Sequence, residues 1–301
     1  MAIQKTLGGG ACLASGTETS TIKKNCFHGF TVSAALPPTK KLFQFGKMLG
    51  RGAYGSVYQA KCQNGCEIAI KEVAVDSLKF EMFAKKQLEC LQHLKNNPKH
   101  NLICFFGFFN EGRHRYFVFE KGGDNLAQLI SKKINFLTVE DFNEISHQLF
   151  AAAQQLHQLK IQYGGDYKFE NMVFFEKERV IKLIDFENSH TEEKDRPSDT
   201  TKVLHRVSFE LINLQLKILH KCNNFNYLES SYKLITYSCD DDCDMKMLEL
   251  RSDQDIWLSD IPDRTRDFLI KCFSKDKKIL EELLEKETPF YPRSSLDVFA
   301  E

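Results

Sequence analysis

The chain has 301 residues, 42% of them hydrophobic and 12% aromatic, enough to bury one large core or two smaller ones. Lys plus Arg and Asp plus Glu both total 41, and this balance excludes a general binder of nucleic acid or of membrane surfaces. Ten unevenly spaced Cys, no apolar secretory run after Met1 and no stretch long enough to cross a bilayer point to an intracellular, cytoplasmic protein; Ala2 removes the myristoylation signal.

Residues 1–40 are rich in Gly, Ser, Thr and Ala, with Gly8-Gly9-Gly10 and Pro37-Pro38 as breakers, and read as a flexible leader. From Phe43 the pattern changes. Phe43–Arg51 predicts a strand that runs into Gly50-Arg51-Gly52-Ala53-Tyr54-Gly55-Ser56-Val57, and Val57–Lys61 predicts a second. Gly50, Gly52 and Gly55 let backbone amides approach phosphate groups. Dinucleotide-binding folds share the glycine spacing, but there a helix follows it and here a strand does. Asn64-Gly65 predicts a tight hairpin turn into a third strand, Glu67–Val75, which carries Ala69-Ile70-Lys71. Ser77–Lys95 predicts a helix whose apolar face includes Leu88, Leu91 and Leu94. Ile103–Phe109 and Tyr116–Glu120 bring the strands to five.

Thr138–Leu159 predicts a long helix with Phe142, Ile145, Leu149, Leu156 and Leu159 on one stripe. Thr138 and Asp141 open it in the manner of a capping box. His147 and His157 on this helix read as structural or solvated. Next come IQYGGDYKFEN over Ile161–Asn171 and VIKLIDF over Val180–Phe186. Two short strands, Met172–Phe175 and Val180–Ile184, are joined by the charged turn Glu176–Arg179. Asp166, Lys168, Asn171 and Asp185 thereby stand in a pattern that phosphoryl transfer would use. Asp166 can accept a hydroxyl proton, Lys168 can neutralise charge on a moving phosphate, and Asn171 and Asp185 can hold metal ions. Cys239-Asp240-Asp241-Asp242-Cys243-Asp244 lacks a His or a second Cys pair and reads as a solvated loop.

Asp166-x-Lys168-x-x-Asn171 followed by Asp185-Phe186, downstream of the glycine motif and Ala69-Ile70-Lys71, resembles the protein kinase family. The resemblance implies an α+β, two-lobed protein-kinase-like fold. A small five-stranded antiparallel N-lobe would take about 41–120 and a larger, mainly helical C-lobe about 124–292, within a domain of 41–292 followed by a tail at 293–301. It implies ATP and Mg²⁺ as cofactors. Gly50, Gly52, Gly55, Val57, Ala69, Lys71, Phe119 and Glu120 would surround the nucleotide, with Lys71 on its phosphates and Val57 over its base. Phe119 would sit at the back of the adenine pocket, although plain core packing would also account for it. Lys71, Asp166 and Lys168 would be catalytic, and Asn171 and Asp185 would bind metal. Thr265–Phe290 resembles the terminal helices of sterile-20-like kinases.

Several positions depart from the family pattern. Gly164-Gly165 stand where the family has His-Arg, and Glu187 stands where it has the Gly after Asp-Phe. By apolar phase, Gln87 falls at the helix position of the Glu that pairs with the strand Lys; on this reading Gln87→Glu restores a charged pair and raises activity. No A-P-E follows. Ser198–Leu204 looks like the start of the next large helix, with Asp199, only 14 positions after Asp185, bracing the catalytic loop. The expected function is transfer of the ATP γ-phosphoryl group to protein Ser or Thr hydroxyls. A catalytically weak or inactive pseudokinase serving as a binding module is the alternative, and a small-molecule kinase a third. The expected partners are ATP and a protein substrate, with no nucleic acid and no membrane; the oligomeric state is open.

Overall fold

A computed structural model describes residues 42–52, 54–62, 65–164, 167–187 and 189–191, and beyond these 203–204, 206–208, 210–211, 214, 218, 263–272, 274, 276–285 and 299. The predicted leader, Asp166, Asp199 and the Cys239–Asp244 run lie outside the described residues. Contacts divide the chain into two units, one of 1–123 with 155–166 and 182–199, the other of 124–154 with 167–181 and 200–301.

The first unit is built on a five-stranded antiparallel sheet in the order β1-β2-β3-β5-β4. Its strands are β1 (Phe43–Gly52), β2 (Gly55–Cys62), β3 (Glu67–Ala74), β4 (Phe105–Glu111) and β5 (His114–Glu120). Burial alternates most clearly along β4, whereas β1 is exposed beyond Phe45. Phe43, Ala60, Ile68, Ile70, Phe109, Tyr116 and Val118 form a core cluster on one side of the sheet, with Phe109 and Tyr116 stacked at 4.7 Å between ring centroids. The β2–β3 turn needs a residue at positive φ, and Gly65 supplies it at +79° while its N–H bonds to the Cys62 carbonyl at 2.8 Å. At the start of β2 a glycine is needed for a different reason. A Cβ on Gly55 would lie 2.1 Å from the Glu72 carbonyl oxygen of β3. Gly55→Ala therefore pushes β2 and β3 apart at the base of the glycine turn. We expect it to cost about 1–3 kcal/mol, read as a lower midpoint in urea.

Between β3 and β4 the chain forms helix α1 (Leu78–Asn96). The Ser77 hydroxyl caps it by accepting the Phe80 N–H at 3.3 Å. Ala84, Gln87, Cys90, Leu91 and Leu94 are its buried residues, a spacing of one helical face, while Glu81 and Glu89 are exposed. Apolar surroundings push the Cys90 thiol up to about 12. The chain returns to this unit late. Leu183 of β8 (Val180–Leu183) bridges Leu102 in parallel, donating its N–H to the Asn101 carbonyl and accepting from the Ile103 N–H. Strands β6 (Ile161–Gln162) and β9 (His190–Thr191) pair antiparallel.

The described residues of the second unit form helices and the hairpin of β7 (Met172–Phe175) with β8. Asn125 and Gln128 form a reciprocal capping box that starts α2 (Leu126–Lys133), an element with no counterpart in the sequence prediction. Helix α3 (Val139–Gln158) begins in this unit and ends in the other. Its opening is the expected one: Asp141 accepts from the Thr138 N–H at 2.9 Å and the Thr138 hydroxyl accepts from the Asp141 N–H at 3.2 Å. Gln148 on this helix fixes the hairpin of β7 (Met172–Phe175) and β8. Its side chain accepts from the Ile181 N–H at 2.7 Å and donates to the Arg179 carbonyl at 3.2 Å. Helices α4 (Asp263–Lys271) and α5 (Lys277–Glu285) pack on α3 through an edge-to-face contact of Phe268 with Phe150 and a hydrogen bond from Gln154 to the Leu284 carbonyl.

Candidate active site

Strand register sets which side chains share a surface. Val57 of β2 lies opposite Lys71 of β3, and Ala69, two residues before Lys71, lies opposite Phe119 of β5. Directly opposed antiparallel residues point the same way, so Val57, Ala69, Lys71 and Phe119 line one face, the reverse of that carrying Ile68 and Ile70. Phe119 also packs on Phe105, with centroids 5.5 Å apart. Gly50 and Gly52 are exposed beside this face.

Lys71 is the centre of charge here. Its side chain is 9% exposed, and its ammonium bonds to the Asp185 carboxylate at 3.3 Å and to the Glu187 carboxylate. Glu187 is nearly as enclosed, at 14%, whereas Asp185 keeps 32% of its side chain open. Burial, and then Asp185 beside it, hold the Glu187 carboxyl above the usual carboxylate range against the pull of Lys71. Asp185 itself is strained, with φ at +63°, a region that Asp tolerates better than most residues. A buried cation and a twisted carboxylate from segments so far apart in sequence are the kind of arrangement kept for function.

The segment carrying Asp185 and Glu187 is braced by the residues that follow β6. Tyr163 is buried; its hydroxyl donates to the Ile184 carbonyl at 2.7 Å and its ring meets Phe186 edge-on at 5.4 Å. The Gly164 N–H donates to the hydroxyl of Ser189, which is fully buried. A side chain thus ties 163–164 to 184–189 despite the glycines at 164 and 165. Nothing in the motif pattern pointed to Tyr163, because it precedes the motif.

Glu120 is held by charge. Lys182 of β8 bonds to both of its carboxylate oxygens, at 2.8 and 3.0 Å, and the Cys104 N–H donates to one of them at 2.7 Å. With its side chain so committed, Glu120 can meet a nucleotide only through its backbone. Gln87 is buried on α1 as the apolar phase predicts, and it shares a small space with Tyr54, Phe83, Ala84 and Glu187. The carboxylate at Lys71 opposite that helix comes from Glu187, which the sequence pattern showed only as a departure. In the second unit, Lys168 precedes the single 3₁₀ turn Phe169–Asn171, and the Asn171 N–H closes it on the Lys168 carbonyl at 2.9 Å.

The sequence profile of the protein kinase domain matches residues 43–211, more than half of the chain. The chain belongs to the protein kinase family. This kinase domain is 31% identical over 151 residues to fhkB of Dictyostelium discoideum, a probable serine/threonine-protein kinase, covering 48% of this chain and 13% of that protein. It is 29% identical over 147 residues to the calcium/calmodulin-dependent protein kinase cmkA of Emericella nidulans, covering 48% and 34%. It is 26% identical over 147 residues to the membrane-associated tyrosine- and threonine-specific cdc2-inhibitory kinase wee-1.3 of Caenorhabditis elegans, covering 49% and 21%. The chain thus spans about a third or less of the length of these relatives. Its five-stranded sheet and helices are the α+β kinase fold. Among the described residues no helix is long and apolar enough to cross a membrane.

The residues suit the nucleotide that this family uses. When ionised, Lys71, Asp185 and Glu187 sum to one negative charge, so the trio favours a phosphate that arrives with a divalent cation over a bare one. Carboxylate oxygens are ligands that Mg²⁺ accepts alongside phosphate oxygens.

Proposed function

We propose that the chain is an ATP-dependent protein kinase that transfers the γ-phosphoryl group to Ser or Thr hydroxyls of a protein. The observation that supports this reading best is the part-buried ion pair of Lys71 with Asp185, which joins strand β3 to the segment after β8. Magnesium would neutralise the charge that develops on the phosphates. Asp185 and Asn171 would hold it, Lys71 would orient the phosphates, and the glycine turn with Val57, Ala69, Phe119 and the Glu120 backbone would seat the nucleotide. Asp166 would accept the hydroxyl proton and Lys168 would balance the transferred charge. Lys168, two positions after Asp166, supports Ser and Thr over Tyr. The protein substrate is a partner of unassigned identity. Gly165 in place of Arg favours a second reading, a domain that binds nucleotide with little or no turnover.

The experiment is transfer of label from radiolabelled ATP to a generic protein acceptor, run beside Asp166→Asn. A general base contributes about 10²–10⁴ in rate, so the variant is expected to lose at least a hundredfold. Equal transfer by both proteins counts against the assignment. Nucleotide binding without transfer favours the second reading, and transfer only to small hydroxylated compounds makes the chain a small-molecule kinase.

A further inference from the structure

Lys71 has two carboxylate partners, and neither is on α1. Asp185 is the more open of the two, and Glu187 is the enclosed one. Gln87 lies at the helix position where a kinase supplies its Glu, is 4% exposed, and lines the same small space as Glu187. A β-carbon built on Gly52 would come within 4.0 Å of a Glu187 oxygen, so Glu187 lies under the glycine turn as well. The neutral residue on the helix and the acidic residue after Asp185-Phe186 therefore meet at one place. Taken singly they look like two losses, yet together they conserve one carboxylate beside one ammonium.

We propose that Glu187 is the positioning residue that holds Lys71 toward the nucleotide phosphates, in the place of a carboxylate from α1. This rests on the kinase reading above. The anchor of Lys71 then belongs to the same short segment as Asp185, and outward movement of α1 does not break it. A carboxylate restored on the helix is redundant while Glu187 is present. Gln87→Glu alone puts a second acid into a space that already holds one, and the like charges oppose each other. On this proposal Gln87→Glu alone brings no gain in activity.

The test compares wild type, Glu187→Gln, Gln87→Glu and the double variant of these two, with Lys71→Met alone and combined with Glu187→Gln as reference. Mg-ATP affinity is measured by titration, and unfolding of the nucleotide-free proteins is followed in urea. Glu187→Gln keeps the shape of the side chain and removes its charge, so it is expected to raise the Mg-ATP Kd about tenfold. Gln87→Glu alone binds no better than wild type. The double variant recovers to within about threefold of wild type, because it returns the carboxylate from the other side. In unfolding, Lys71→Met and Glu187→Gln are expected to be non-additive, a coupling that mere packing by Glu187 does not produce. Wild-type affinity in Glu187→Gln, or a double variant as weak as Glu187→Gln, overturns the proposal. If Lys71→Met loses binding while Glu187→Gln keeps it, the proposal falls and the kinase reading stands. Absence of any Mg-ATP binding by wild type overturns both.

Discussion

Lys71→Met is expected to weaken Mg-ATP binding by at least about tenfold and to abolish measurable turnover. Lys71 is the buried cation on the face shared by Val57, Ala69 and Phe119, where the same register also sets Lys61 and Arg115. A hydrogen bond from a charged donor to phosphate contributes about 1.5–3 kcal/mol, and tenfold corresponds to about 1.4 kcal/mol. The same change leaves the enclosed Glu187 beside Asp185 with no ammonium between them. Removing one member of a buried pair costs about 3–5 kcal/mol, so the ligand-free midpoint falls as well. Thermal-shift titration with ATP, with and without Mg²⁺, reads both effects. In wild type the shift should need Mg²⁺, given the net negative trio. An unchanged nucleotide-dependent shift in Lys71→Met removes Lys71 from the nucleotide site.

Lys182→Met is expected to be the most destabilising single change in the first unit. It strips the partner from Glu120, whose side chain is 4% exposed, and so leaves a buried charge unpaired. The cost is about 3–5 kcal/mol, or roughly 10 °C in the unfolding midpoint for a domain of this size. Glu120→Gln in the same chain is expected to recover most of that loss. The amide carries no charge to strand, and its oxygen can still accept the Cys104 N–H. Differential scanning calorimetry of the single and double variants decides it. If the double variant is no more stable than Lys182→Met, packing of the Lys182 stem governs instead.

Local signals in the sequence were strong wherever neighbours along the chain determine the outcome. The alternation through Glu67–Val75 and the leucines of Ser77–Lys95 placed β3 and α1 to within a residue or two, and they turned Gln87 to the correct face. The turn at Gly65 and the Thr138–Asp141 start of α3 follow from side-chain chemistry within three residues. Helix α2 was missed, although Asn125 and Gln128 carry the capping-box spacing that marks its start. The partnership of Lys71 with Glu187 was not. A motif compares one position with one expected residue, so it records Gln87 and Glu187 as separate departures. Only the fold shows that they meet. Tyr163 escaped for the same reason, because its hydroxyl bonds to a carbonyl 21 residues away. The sequence likewise offered no partner for the side chain of Glu120, because that partner, Lys182, sits on another strand.

The return of the chain to its first unit sets an order of assembly during synthesis. Five strands and α1 are complete by Glu120, but Leu183 must arrive to bridge Leu102, and Lys182 to neutralise Glu120. More than sixty residues, including all of α2 and α3, leave the ribosome in between. Through that interval the nascent sheet holds an acidic side chain that water must solvate, and Asn101 lacks the strand that closes on it. Contacts of such wide separation form late, after the loop between them has been closed. The sheet therefore matures only when β8 docks. The step that neutralises Glu120 also delivers Asp185 and Glu187, three and five residues on, to Lys71.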